Sequence, residues 1–180
     1  LDISLLKSRV SLTSDFYIKK TKDLLLNVPI PASVGIPSNS ALENAGKIEN
    51  RGIEFQLTTK NMVNKFKWTT DFNISFNQNK ILDMVGTSIK VGSIESRGNT
   101  SIAEEGLALG TFWGYVYEGV DPKTGNVIYK DLDKNGQINE DDKTVIGSAN
   151  PKYAFGMTNS FSFKNFNFDI FLQGVQGNQI

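Results

Sequence analysis

The chain has 180 residues, its 19 Lys and Arg balance its 19 Asp and Glu, and it contains neither Cys nor His. The lack of both residue types excludes a disulfide framework, His-ligated zinc and a His-based catalytic triad. A net charge of +0 offers no electrostatic footprint for phosphates, so we expect no nucleic-acid partner.

In chain order, the first predicted elements are two strands. Residues 1–5 are expected to end a strand, 6–9 to form a short turn, and 10–22 to form the next strand, with apolar residues at alternate positions. The segment 24–45 contains three of the five prolines. It is predicted to be a loop, because proline fixes φ and has no backbone donor.

Two longer strands joined by a tight polar turn follow, at 46–60 and 66–79. Side chains alternate between the two faces of a strand. One face of the second strand carries Phe66, Trp68, Thr70, Phe72, Ile74 and Phe76, and the other Lys67, Thr69, Asp71, Asn73, Ser75 and Asn77. The alternation lasts longer than the about five or six residues of an ordinary strand, and it matches the ~9–11 residues of a membrane-spanning strand.

The alternation stops in the segment 80–151, which is rich in Gly, Ser, Asp and Asn. This segment is predicted to be a long loop region with short strand-like pieces only at 111–117 and 126–129. From residue 153 the alternation returns, in two strands separated by a tight turn at 164–165. Connections that are alternately short and long are typical of bacterial outer-membrane barrels. The sequence therefore predicts an all-β fold: about six antiparallel strands of a transmembrane β-barrel, with long extracellular loops.

A soluble, calcium-stabilised β-sandwich that acts as a carbohydrate-binding module is the alternative interpretation. The two interpretations differ in the environment of the apolar face. A lipid-facing wall leaves Phe16, Phe72, Phe76 and Phe168 exposed in the chain, whereas a sandwich buries them. No nucleophile–base pair and no phosphate-binding glycine loop is recognisable, so we expect no enzymatic activity.

Six stretches resemble the SusC/RagA family of TonB-linked outer-membrane transporters from Bacteroidetes. In the family's order they are TSDFYIKKTKDLLLNVPIP, NAGKIENRGIEFQLTT, FKWTTDFNISFNQNKI, GTFWGYVYEGV, YKDLDKNGQINEDDKTVIG and NPKYAFGMTNSFSFKNFNFDIFLQGVQGNQI. The resemblance implies that 1–180 form part of the barrel of a TonB-dependent receptor, with 80–151 as an extracellular loop region. The chain starts inside a predicted strand without a signal peptide, so we expect a fragment of a longer protein.

This resemblance also implies a function. The chain would be a segment of an outer-membrane importer for glycans or peptides in a Gram-negative cell envelope. Its partners would be a SusD-like surface lipoprotein, the TonB complex through parts outside this chain, the lipid of the outer membrane, and an oligosaccharide or peptide substrate.

The segment 131–142, DLDKNGQINEDD, fits the calcium-loop pattern D-x-D-x-N-G-x-I-x-x-x-D. Calcium takes 6–8 oxygen ligands, and a glycine at the sixth position permits the sharp turn around the ion. The predicted ligands are the side chains of Asp131, Asp133, Asn135 and Asp142 and the backbone carbonyl of Gln137. We expect Ile138 to anchor the loop against Val145 or Ile146. A polar turn that binds nothing is the alternative.

Aromatic residues suggest two further features. Two roles are compatible with Phe112, Trp113, Tyr115 and Tyr117: stacking on sugar rings, or packing the loop onto its neighbours. A girdle at the membrane interface, or ordinary sheet packing, is expected of the aromatic residues beside the short turns, which are Phe66, Trp68, Phe163 and Phe166.

Overall fold

A computed structural model describes residues 1–29, 40–44, 46–84, 88–93 and 98–179 of the protein. Two compact units make up the chain: one comprises 1–20, 49–78 and 151–178, and the other comprises the rest of the chain. Within the described ranges, the helical element is a 3-10 turn at Glu140–Asp142. Helices long and apolar enough to cross a membrane are absent from this part of the chain.

The described strands are numbered here in chain order. They are β1 Asp2–Leu5, β2 Val10–Thr21, β3 Leu25–Pro29, β4 Ser40–Asn44, β5 Gly46–Val63, β6 Phe66–Met84, β7 Ser88–Ser93, β8 Asn99–Glu104, β9 Thr111–Tyr115, β10 Tyr117–Val120, β11 Val127–Tyr129, β12 Lys143–Ser148, β13 Tyr153–Phe163 and β14 Phe166–Gln176.

The first unit is built on a six-stranded sheet in the order β1-β2-β5-β6-β13-β14. Antiparallel registers join β1 to β2, β6 to β13 and β13 to β14. All three tight turns lie at one edge: Phe163 is opposite both Phe66 and Phe166, and the Lys60 N–H donates to the Arg9 carbonyl at 2.7 Å. We call this end of the strands the turn edge, which is distinct from the edge strands β1 and β14. The predicted fold of about six antiparallel strands is confirmed.

Both faces of this sheet are open. Among the described residues, the buried hydrophobic side chains Ile81, Met84 and Ile102 all belong to the second unit, the first two at the far end of β6. On the apolar face Phe16 is 70% exposed and Phe168 is 63% exposed, while Phe72 is half-buried by its neighbours on the sheet. A sheet packed into a sandwich would bury such side chains, since burial of aromatic surface is a main source of its stability.

The opposite, polar face is tied together by side-chain hydrogen bonds between strands. Thr58 Oγ1 donates to Asp71 Oδ1 at 2.6 Å, and Tyr17 Oη donates to Asn77 Oδ1 at 3.1 Å. These bonds satisfy polar groups without burying them, as suits a surface that faces water.

The second unit corrects the prediction of a long loop with few strands. It contains a four-stranded sheet in the order β12-β9-β8-β7 and a β10-β11 hairpin. Three buried hydrophobic side chains, Ile81, Met84 and Ile102, form its core. The strands of the four-stranded sheet are only five or six residues long, too short for alternation to stand out in a segment rich in Gly and Asp.

The predicted loop 24–45 also contains structure. β3 pairs with β4 in antiparallel register, from Leu25 opposite Asn44 to Pro29 opposite Ser40. Pro29 is the last residue of its strand, where the missing N–H interrupts no later rung of the ladder. Pro31 and Pro37, which also supported the loop prediction, lie outside the described residues.

Candidate metal centre

The loop 131–142 connects β11 to β12 and is wrapped around the carboxylate of Asp131. Asp131 Oδ1 accepts hydrogen bonds from the Lys134 N–H at 2.6 Å and the Asn135 N–H at 3.2 Å, and its Oδ2 accepts from the Gly136 N–H at 2.8 Å. Gly136 adopts φ +82°, a left-handed conformation that glycine adopts at no steric cost. The hydrogen bond from the Gly136 N–H, followed by those from Lys134 and Asn135, lowers the pKa of Asp131 below its usual 3.8.

The carboxylate of Asp142 closes the loop. It is fully buried, and its two oxygens accept from the Leu132 N–H at 2.7 Å and from the Asn139 N–H at 2.8 Å. The second bond completes a capping box, because the Asn139 side chain accepts in turn from the Asp141 N–H at 2.8 Å. Asp142 therefore holds the start and the end of the loop together through hydrogen bonds.

Three of the predicted ligands converge. Carboxylate oxygens of Asp131, Asp133 and Asp142 all lie within 4.8 Å of one another. Two oxygens on opposite sides of a calcium ion would be ~4.8 Å apart for bonds of ~2.4 Å, so this spacing fits the ion. Since a carboxylate has about four lone-pair sites, the hydrogen bonds from the backbone leave acceptor capacity for a cation.

The other two predicted ligands are exposed. Asn135 Oδ1 accepts from the Gln137 N–H at 2.8 Å, and Asn135 Nδ2 donates to Asp133 Oδ2 at 2.7 Å. In this loop the Asn135 amide therefore donates to a carboxylate that a cation would otherwise contact. Five oxygen ligands at one centre thus remain a prediction for this loop.

The predicted apolar anchor of the loop is wrong. Ile138, Val145 and Ile146 are 45%, 44% and 46% exposed, so none of them is buried beneath the loop. The pattern of a calcium loop favours an apolar residue at position eight, but the loop here is closed by Asp142 instead.

Sequence reasoning missed the role of Lys143. This residue is buried, pairs with Glu140 Oε1 at 2.5 Å, and places its ammonium 5.2 Å from the ring centre of Tyr115. Tyr115 also packs on Tyr129 with ring centres 5.3 Å apart. The spacing of Glu140 and Lys143, three residues apart, was the available signal. These contacts favour packing over sugar stacking for Tyr115, whereas Tyr117 is 62% exposed.

The aromatic side chains predicted beside the short turns lie together at the turn edge. The Trp68 ring centre is 5.7 Å from that of Phe161, and the Phe66 ring centre is 6.2 Å from it. Phe166 is 79% exposed and Phe163 is 44% exposed. The sheet therefore presents a continuous aromatic band along this edge.

Among family models, none matches the chain. Among curated proteins, the chain is 34% identical over 200 residues to TonB-dependent receptor P3 of Formosa agariphila, with 100% of this chain and 20% of the receptor covered. It is 33% identical over 193 residues to TonB-dependent receptor SusC of Bacteroides thetaiotaomicron, with 100% and 19% covered. The chain thus spans about a fifth of the length of the curated relatives it matches.

Solved structures show the same fold. A structure of the RagAB peptide transporter superposes with a TM-score of 0.80 at 23% identity, over 97% of this chain and 20% of that one. The RagAB peptide importer in its closed-closed state gives a TM-score of 0.79 at 25% identity, over 98% and 20%. By sequence and by fold, the chain is homologous over its whole length to a segment of the TonB-dependent receptors of SusC/RagA type.

Proposed function

We propose that this chain is a wall segment of a TonB-dependent importer in the outer membrane of a Gram-negative bacterium. Homologues over the full length of the chain are TonB-dependent receptors. The observation that carries the proposal is the six-stranded sheet, which exposes one aromatic face and ties its other face with polar contacts. Lipid outside and water inside a barrel require this division. The exposed aromatic face and this homology favour the wall segment over the alternative of a soluble β-sandwich module.

The substrate and partners of the whole protein belong to this proposal. The RagAB structures are described as peptide transporters or importers, and the relatives include a receptor named SusC. We infer a peptide or glycan as substrate, a SusD-like surface lipoprotein as partner, and energy from the TonB complex through segments outside this chain. A binding and transport role accounts for the residues described, so no enzymatic activity is proposed.

The orientation of the sheet is tested with two neighbouring residues in the middle of β6. Phe72 lies opposite Met157 and Asn73 lies opposite Gly156, and successive side chains point to opposite faces. The full-length protein, in a background without other cysteines, is prepared with Phe72→Cys or Asn73→Cys and inserted in a bilayer. We expect a water-soluble maleimide to label the Asn73→Cys variant and to spare the Phe72→Cys variant. In a separate measurement, a fluorophore attached at Phe72→Cys should be quenched by brominated lipid. Equal labelling at both positions would refute the proposed wall.

A second proposal concerns the loop 131–142. We propose that it binds calcium as a structural ion that orders the loop without taking part in any reaction. Support comes from the convergence of three carboxylates and from the electrostatic cost of that convergence, about 1 kcal/mol per pair of charges at 4 Å even in water. A divalent cation would turn this repulsion into attraction. Because Asp142 is shorter than the Glu usual at its position, we expect an affinity of about 10⁻⁴–10⁻³ M.

Calcium binding is tested by charge-matched variants of the full-length protein. Asp133 and Asp141 are both exposed, but only Asp133 belongs to the carboxylate cluster. We expect calcium at a few times its dissociation constant, about 1–5 mM, to slow proteolysis of the loop in the wild type and in Asp141→Asn. Asp133→Asn should abolish this protection. A wild-type loop whose cleavage rate ignores calcium would mean that the segment is only a polar turn.

A further inference from the structure

A groove lies on the apolar face of the six-stranded sheet, at the opposite end of the strands from the turn edge. It has a volume of about 330 Å³, and the side chains that matter here are Phe16, Arg51, Ile53, Phe76, Gln78 and Lys152. Phe16 is 70% exposed and Phe76 is 37% exposed, so the groove has an open apolar wall. Arg51 and Lys152 are both exposed beside it. We call this feature the Arg51 groove.

The position of the Arg51 groove along the strands matches the far border of a lipid-facing band. Phe66 lies at the turn edge, and Phe76 follows ten residues later in the same strand. At ~3.4 Å per residue and a tilt of about 40°, this separation is roughly 26 Å along a barrel axis. The apolar band of an outer-membrane barrel is about 25 Å tall. If Phe66 marks one interface, the Arg51 groove lies at headgroup depth on the side of the long connections.

The guanidinium of Arg51 is held in place without being neutralised. Its Nε and Nη2 both donate to the uncharged Gln78 Oε1, at 2.9 Å and 2.6 Å. Of the nearby carboxylates, Glu49 lies in the same strand two residues away and is paired with Lys20 at 3.2 Å. Within the described ranges, Arg51 has no carboxylate within ion-pair distance. An arginine fixed by a neutral acceptor keeps its full charge and its remaining donors for an anion.

Lys152 supplies a second positive charge. Its backbone N–H donates to the Gln176 carbonyl at 2.8 Å, and its side-chain stem lies against Gly177, where a Cβ would approach Lys152 Cγ to 2.7 Å. In the described part of the chain, its ammonium forms no ion pair. A lysine whose stem lies on the sheet and whose charge is free is typical of side chains that reach from an apolar surface into the headgroup layer.

We propose that the Arg51 groove binds the phosphate-bearing headgroup of an anionic lipid. Its phosphate lies between Arg51 and Lys152, and an acyl chain runs over Phe16, Ile53 and Phe76. The apolar wall continues directly from the two cations, so the groove complements a lipid with a phosphate at one end. This inference rests on the proposed function, because it needs the aromatic face to be in contact with lipid.

The test uses the full-length protein in nanodiscs of phosphatidylcholine that contain a small fraction of phosphatidylglycerol. Native mass spectrometry counts the phosphatidylglycerol molecules that remain bound. The variants are Arg51→Gln with Lys152→Gln, and, as a matched control, Lys19→Gln with Lys67→Gln, which removes two exposed cations from the polar face of β2 and β6. Lys152→Gln alone, at an exposed position before β13, covers the case that the double variant does not fold.

We expect the wild type and the control to retain phosphatidylglycerol over phosphatidylcholine, and the double variant to bind it roughly tenfold more weakly or worse. Lys152→Gln should show part of this loss. Equal retention by wild type and double variant, an equal loss in the control, or displacement of the lipid by inorganic phosphate would overturn the inference. Failure of the wild type to insert into any bilayer would instead refute the proposed wall segment, and with it this site.

Discussion

At the scale of single residues, Asp131 shows how hydrogen bonds from the backbone stabilise the ionised form of a carboxyl group. The N–H groups of Gly136 and Lys134 hold its pKa below the usual 3.8. A group whose folded pKa is depressed contributes stability that is complete above its unfolded pKa and is lost as the pH falls through the folded value. The order of the loop should therefore be insensitive to pH between about 7 and 5 and should decrease below about pH 4.

Hydrogen exchange at the amides of Lys134 and Gly136 in the full-length protein measures this order, after correction for intrinsic exchange rates. Asp131→Asn should raise exchange at neutral pH and remove the additional increase in acid. Asp141→Asn, which changes an exposed carboxylate outside the cluster, serves as the control and should keep the wild-type profile. A profile without any change down to pH 3 would contradict the role of Asp131.

Gly52 lies at a position in the sheet that leaves no room for a side chain. A Cβ there would lie 2.5 Å from the backbone carbonyl oxygen of Phe76 and 2.6 Å from the ring of Tyr17. A backbone atom cannot move away cheaply, so Gly52→Ala should destabilise the full-length protein by about 1–3 kcal/mol in thermal or denaturant unfolding. Gly174 is the matched control, since a Cβ there meets only the far end of the Phe155 ring, at 2.7 Å. An equal loss for Gly174→Ala would show that the backbone contact is not what matters.

At the scale of strands, polar residues on the apolar face satisfy one another. Asn159 Oδ1 accepts from Trp68 Nε1 at 3.0 Å and from Thr70 Oγ1 at 2.7 Å, and Thr70 Oγ1 accepts from Asn61 Nδ2 at 2.8 Å. These bonds join β5, β6 and β13 into one network. A face in contact with lipid needs such pairing, because an unsatisfied polar group in hydrocarbon is costly.

Asn159→Leu should therefore destabilise the protein although it makes the face more apolar. Two donors lose their acceptor, at roughly 1 kcal/mol for each hydrogen bond. The comparison is Thr158→Val, the neighbouring residue on the opposite face, and the measurement is the midpoint of heat-induced unfolding of the full-length protein in detergent. A midpoint for Asn159→Leu at or above that of the wild type would show that the network contributes nothing.

The same strands show what a sequence reveals about this fold. The sequence predicts the long strands β5, β6, β13 and β14 because apolar and polar residues that alternate with a period of two over 11 residues or more indicate a strand. The sheet made by β7, β8, β9 and β12 was missed because its strands are short and its pairing is set by tertiary contacts such as the burial of Ile102. In the loop, spacing predicted the convergence of the carboxylates of Asp131, Asp133 and Asp142, but not the burial of Lys143.

At the scale of the whole molecule, the six-stranded sheet is open, with β1 and β14 as its two edges. Both edges present backbone donors and acceptors that have no partner strand in the described part of the chain. β14 is also apolar and exposed, with Phe166, Phe168 and Phe171 at 79%, 63% and 60%. In water an exposed, long and apolar edge strand is a site of aggregation, and in lipid its unpaired backbone groups are costly.

The 180-residue chain expressed alone should therefore not form a stable monomer, either in water or as an inserted barrel. We expect size-exclusion chromatography to show aggregates, and limited proteolysis to digest 1–20 and 151–178 as quickly as the segments between them. In a closed barrel, neighbouring strands would pair with both edges, and the same segments should then resist the protease. Lys placed at Phe168 and Phe171 should reduce the aggregation of the isolated chain, since charged side chains protect exposed edges. A monodisperse, protease-resistant monomer of the isolated chain would show that the edges are covered from within it, and that the sheet does not need the rest of a barrel.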